Sequence, residues 1–226
     1  MQILSIYALA SRSFDSVIDT AFILNSFITL ILIVDPLGNV PLFLALTADF
    51  KRSEQRFMIR RAVVVGFLTL IFLTVTGTML FEALGVKMYS FRIAGGILLF
   101  IISIEMLFGQ ETRTKTTGKE IAEKKSPEEI AVTPMAIPLM AGPGAITAGV
   151  VLFNLAPDPL HQGILLFTIL AVFLTSYLIF LKANEIFSLL GKTGTTVIIR
   201  IMGLILAAIA VQFTLSGIGD AVRALI

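Results

Sequence analysis

Six apolar stretches divide this chain of 226 residues, and two of them, Thr20 to Ala48 and Ile130 to Pro157, are interrupted near the middle by proline and glycine. A membrane crossing needs roughly 20 apolar residues to match a hydrocarbon core of about 30 Å. Ala62 to Phe81 and Gln162 to Leu181 meet that length without a charge, and Met88 to Phe108 and Thr193 to Gly219 meet it with charges only toward their ends. The two interrupted stretches are longer than one crossing requires. Composition excludes the alternative of a water-soluble globule, since 57% of residues are apolar and 14% charged, where soluble domains carry about a quarter charged. The expected fold is therefore all-α, a polytopic membrane protein with six transmembrane spans forming one domain over residues 1–226, with spans 1 and 4 broken.

Charge sets the expected orientation. The loops around Asp49 to Arg61, Gly109 to Glu129 and Lys182 to Lys192, together with Arg200, hold 13 of the 17 basic residues. The positive-inside rule puts these loops in the cytoplasm and both termini outside. Residues Met1 to Ser16 read as a short lead-in, because no basic residue precedes Ala8-Leu9-Ala10 as a signal peptide would require. There is no basic tail and no interleaving of basic and aromatic residues, which argues against nucleic acid as a partner. With no cysteine, thiolate chemistry is excluded. No hydrolase, P-loop, metal-ligand or dinucleotide constellation is present, so neither an enzyme nor a resident cofactor or metal is expected.

The sequence also repeats itself. Shifted by 108 places, residues 92 to 109 match residues 200 to 217 at eight of 18 positions, including Arg92 with Arg200, Gly95 with Gly203 and Gly109 with Gly217. The interruptions correspond as well, Asp35-Pro36-Leu37-Gly38 with Gly142-Pro143-Gly144. A half with three crossings ends on the side opposite its start, so a second copy must thread the membrane upside down, the inverted-repeat plan of many secondary transporters. The first repeat is expected at about residues 17–109, a cytoplasmic linker at about 110–126 and the second repeat at about 127–226.

Asp-Pro and Gly-Pro both read as helix starts, with Asp35 capping, Pro36 and Pro143 at first helical positions, and Gly142 in the left-handed conformation that ends a helix. Ser126-Pro127-Glu128-Glu129 reads as a capping box. Irregular backbone at membrane depth is tolerated only where protein buries it or a watery cavity receives it, so the two breaks are expected to face each other. Half-helix N-termini suit a carboxylate and C-terminal carbonyls an ammonium or cation. The candidate binding residues are Asp35, Pro36, Gly38, Asn39, Pro41, Gly142, Pro143, Gly144, Ala145 and Thr147. Asp35, the one acidic residue near the centre of a span, is the candidate for proton coupling; its alternative role is that of a cap alone. For Ser103, Glu105, Gln212, Thr214 and Ser216, interhelical hydrogen bonding is the expected role. Arg92 and Arg200 are expected to snorkel or to anchor their helices, Gly95, Gly96 and Gly203 to mark close helix packing, and His161 with Asp158 to lie in a solvated loop.

Asp35-Pro36-Leu37-Gly38-Asn39-Val40-Pro41-Leu42-Phe43, Pro138-Leu139-Met140-Ala141-Gly142-Pro143-Gly144-Ala145-Ile146 and Arg200 to Phe213, in this order, together resemble the MarC family of integral membrane proteins over nearly the whole chain. That family includes small neutral amino-acid transporters of the SnatA type. The resemblance implies an inner-membrane protein moving glycine, alanine or similar amino acids, with protons as the coupling ion and sodium as the alternative. A passive channel or exporter and a non-transporting membrane scaffold stay open as other readings, as does a homo-oligomer.

Overall fold

The computed structural model describes residues 20–108 and 126–225, which are helical apart from short turns. In chain order the helices are α1 (Thr20–Val34), α2 (Val40–Thr47), α3 (Arg52–Ala83), α4 (Met88–Phe108), α5 (Pro127–Met140), α6 (Pro143–Leu155), α7 (Pro159–Leu181) and α8 (Ala183–Leu225). The lead-in Met1 to Ser16 and all of the linker except Ser126, with Arg113, Lys115, Lys119, Lys124 and Lys125, lie outside the described residues.

Four helices, α3, α4, α7 and α8, are long and apolar enough to cross a membrane alone, and α5 with α6, bent by 53° at their junction, make either a fifth, broken crossing or a re-entrant loop. The 15 described residues of α1 are apolar but shorter than a crossing. Local sequence explains most of the boundaries. The Lys51 N–H donates to the Glu54 carboxylate at 2.8 Å to start α3, and Ser126 and Glu129 form the reciprocal capping box at the head of α5. Asp158 caps α7 by accepting from the His161 N–H at 2.9 Å, with Pro159 following. Helix α3 closes on Gly85, whose φ of +72° is the left-handed conformation that a helix terminus commonly adopts.

One expected loop proves helical. Lys182 to Lys192 is largely the first part of α8, which bends at Gly191 (φ +62°, ψ −178°) rather than starting at Thr193. A glycine there supplies the positive φ that any other residue would resist.

The packing has the polarity of a membrane protein. Phe72, Phe167, Leu178 and Leu204 point outward and are each more than 60% exposed, an apolar surface far beyond what a monomer in water presents. Between the helices, glycine allows close approach. A Cβ placed on Gly203 would lie 2.8 Å from Met106 Cβ and 3.1 Å from the Ser103 carbonyl, and one on Gly96 would lie 2.8 Å from the Ala210 carbonyl, so α4 and α8 meet backbone to backbone. Lipid tails are as apolar as leucine, which leaves such van der Waals contact as a main force between spans. Arg92 of α4 is buried and ion-paired with Asp220 of α8. It therefore ties two spans together instead of snorkelling, whereas Arg200 is exposed.

This packing makes a paired prediction. Gly203→Val should overpack the α4–α8 contact, at a cost of about 1–3 kcal/mol, and lower the melting temperature in detergent. Gly163→Ala, in a helix where an added Cβ meets nothing within 4 Å, should leave it unchanged or raise it.

Candidate functional site

The first break begins where α1 ends. Asp35 has φ +47°, the one non-glycine positive value among the described residues, and Pro36 behind it has no N–H with which to extend the helix. The chain then makes a tight turn through Leu37 and Gly38. Helix geometry resumes at Val40, with Asn39 at the cap and Pro41 in the first turn. This differs from the expected restart at Pro36, because Asp35 takes the left-handed conformation, and four residues are needed to reverse that excursion. The turn is held from within. Gly38 N–H donates to Asp35 Oδ1 at 2.9 Å, and Asn39 Nδ2 donates to the Val34 carbonyl at 3.0 Å. Only glycine fits at position 38, since an added Cβ would lie 2.6 Å from Asp35 Cγ.

The second break is longer than its sequence suggests. Within α5 the peptide bonds before Pro134 and Pro138 are cis, and Thr133 and Ile137 have extended backbone, as expected of residues preceding proline. Gly142 is also extended (φ −80°, ψ 174°), so it is not the left-handed cap expected. Its lack of a side chain is required instead by the Pro138 carbonyl, which an added Cβ would strike. Pro143 opens α6, and the Ile146 N–H reaches the Gly142 carbonyl at 3.0 Å. Pro143 has no donor, so the N–H groups of Gly142, Gly144 and Ala145 are the three that helix geometry leaves without an intrahelical partner at this end.

Both breaks line one cavity of about 210 Å³. The space admits several waters and falls below the 300 to 1,000 Å³ typical of drug-sized ligands. Asp35, Asn39, Gly142, Pro143, Gly144 and Ala145 all contribute to its wall. The other four candidates do not. Pro36 and Gly38 are buried in the turn, Pro41 lies in the first turn of α2, and Thr147 directs its methyl group against Gly95 of α4.

Helix α4 closes the cavity with Leu98, Ile101, Ile102, Glu105 and Met106. The first four are spaced i, i+3, i+4 and i+7, one face of a helix. Glu105 is the residue that sequence reasoning placed elsewhere. It makes no interhelical hydrogen bond; its Oε2 is buried and without a partner among the described residues, as is Oδ1 of Asn39. That an ionisable side chain within a span is a candidate functional group by default was the available signal. The wall thus has N–H donors and a positive helix end at α6, and oxygen acceptors at Asp35, Asn39 and Glu105. Among the described residues, no lysine or arginine lines it.

His161 lies apart from this cavity and is not solvated as expected. It is buried, edge-on to Phe22 with ring centroids 5.3 Å apart, with Nδ1 2.9 Å from Asp158 Oδ1. The hydrogen bond from the His161 backbone N–H, then that from its ring, hold the Asp158 carboxyl below its ordinary value of 3.8.

The turn at Asp35 can be tested on its own. Asp35→Asn keeps an oxygen for the Gly38 N–H and should melt near wild type. Asp35→Leu leaves that donor unsatisfied, costing about 1–3 kcal/mol, and should melt clearly lower in detergent.

Comparison with known proteins gives a consistent result. The family model described as MarC family integral membrane protein matches residues 20–222. A UPF0056 membrane protein of Archaeoglobus fulgidus is 39% identical over 200 residues, covering 88% of this chain and 93% of that one. The UPF0056 membrane protein YvbG of Bacillus subtilis is 35% identical over 199 residues, covering 88% and 94%. No solved structure matches the chain.

Proposed function

The chain belongs to the MarC family of integral membrane proteins, and on that premise we propose that it is a secondary transporter of small neutral amino acids such as glycine and alanine. The observation that carries this reading is the cavity shared by the two breaks, with a helix N-terminus on one wall and acceptor oxygens on another. A zwitterion has the matching charges: its carboxylate suits the Gly144 and Ala145 N–H groups, and its ammonium suits the acceptors. The small volume favours a small side chain.

Alternating access would come from two inverted halves of three crossings. Helices α1 and α2 total 23 residues, about 35 Å at 1.5 Å per residue, enough for the sixth crossing. The sequence repeat at 108 places, with Arg92 over Arg200 and Gly95 over Gly203, supports the inversion. The basic start of α3, Lys51 to Arg61, favours a cytoplasmic location for that end, with both termini outside the cell membrane.

The coupling ion in this reading is the proton, with sodium as the alternative, and Asp35 is the proton-linked group. A proton on its carboxyl weakens it as acceptor for the Gly38 N–H and so loosens the turn, linking charge at the break to its conformation. Purified protein in liposomes should accumulate labelled glycine under an inward proton gradient and stop when the gradient is collapsed. Non-saturating flux regardless of the gradient would indicate a channel, and no flux of any small amino acid would overturn transport.

A further inference from the structure

Among the described residues, three oxygen-bearing side chains line the cavity, and they are not equivalent. The Asp35 carboxylate is committed to its own turn through Gly38. Asn39 is 4% exposed and uses its amide nitrogen on the Val34 carbonyl, which leaves Oδ1 with no donor among the described residues. Glu105 comes from a different helix, α4, and its buried Oε2 also has no donor among those residues. Buried acceptors are paired in the great majority of structures, and an unsatisfied one costs about 1–3 kcal/mol, more when charged. Two residues that line one cavity each hold such an atom, which points to a donor-bearing, cationic group that a small side-chain rotation would let them receive.

We propose that Glu105 is the side chain that receives the ammonium group of the transported amino acid, with Asn39 Oδ1 as its second acceptor, and so selects amino acids over other small carboxylates. This rests on the reading of the cavity as an amino-acid site and deepens it. The substrate lies with its carboxylate at the head of α6 and its ammonium toward α4, so that binding links the second break to α4. Asp35 holds the shape of the first break and does not supply the charge. A hydrogen bond to a charged group is roughly twice as strong as a neutral one, and among the described residues no lysine or arginine lines the wall to compete with the ligand for the carboxylate.

The test compares glycine with glycolate, which has a hydroxyl in place of the ammonium and is nearly the same size. Binding of each is measured by calorimetry on detergent-purified wild type, Glu105→Gln, Glu105→Asp and Asp35→Asn. Wild type should prefer glycine by at least tenfold. Glu105→Gln should lower that preference at least tenfold while glycolate binding stays within about threefold, and Glu105→Asp, which keeps the charge, should retain most of it. An unchanged glycine-to-glycolate ratio in Glu105→Gln overturns the assignment. So does an equal loss of both ligands in Glu105→Gln and Glu105→Asp, which would mark a purely structural role. Loss of the preference in Asp35→Asn but not in Glu105→Gln would give the role to Asp35. Wild type that binds neither ligand would instead overturn the amino-acid reading, and this assignment with it.

Discussion

Lipid cannot hydrogen-bond a peptide group, and the architecture of this chain follows from that constraint. A helix satisfies its own backbone, so α3, α4, α7 and α8 can face hydrocarbon. The turn at Asp35 to Gly38 and the extended backbone at Thr133, Ile137 and Gly142 cannot. They are tolerated because protein surrounds them and because side chains complete the valences, Asp35 for the Gly38 N–H and Asn39 for the Val34 carbonyl. Of the buried side-chain atoms left without a partner among the described residues, Asn39 Oδ1 and Glu105 Oε2 belong to residues that line the cavity. The irregular backbone thus lies where protein, and not lipid, covers it.

Enclosure depends on close approach of the helices, and glycine provides it. Gly96 and Gly203 bring α4 onto α8, and Gly149 brings α6 onto Thr74 of α3. Gly144 sits against Leu99, Ile102 and Ile33, where an added Cβ would lie 3.0 to 3.3 Å from their side chains, so the head of α6 reaches the cavity wall without a side chain in the way. The ion pair of Arg92 with Asp220 secures the α4–α8 contact at one end.

The helices were largely legible in the sequence because the membrane imposes a length and an apolar character that can be counted. Met88 to Phe108 agrees at both ends with α4, and Ser126 begins α5 as its capping box requires. The positions of the breaks were legible too, since proline and glycine act through local geometry. Their conformations were not. Whether Asp35 caps a helix or turns before it depends on what Asn39 finds to bond, and the form of the second break depends on two further prolines upstream of Gly142. Long-range partners were hidden for the same reason: Asp220 lies 128 residues from Arg92, and the burial of His161 requires Phe22 from another helix. Glu105 was expected to bond a neighbouring helix because its face of α4 is otherwise apolar, and only the folded chain shows that this face meets a cavity.

Whether the two breaks hold a small amino acid in a watery cavity is open to a direct chemical test. Having no cysteine, the chain can report on this through a single introduced one. Ile102 lines the cavity beside Gly144, whereas Leu84 stands exposed at the turn after α3. A small water-soluble thiol reagent should label both Ile102→Cys and Leu84→Cys, and saturating glycine should slow the labelling of Ile102→Cys severalfold without affecting that of Leu84→Cys. An Ile102→Cys thiol that the reagent does not reach, or one that reacts at the same rate with and without glycine, would contradict an amino-acid site at the breaks.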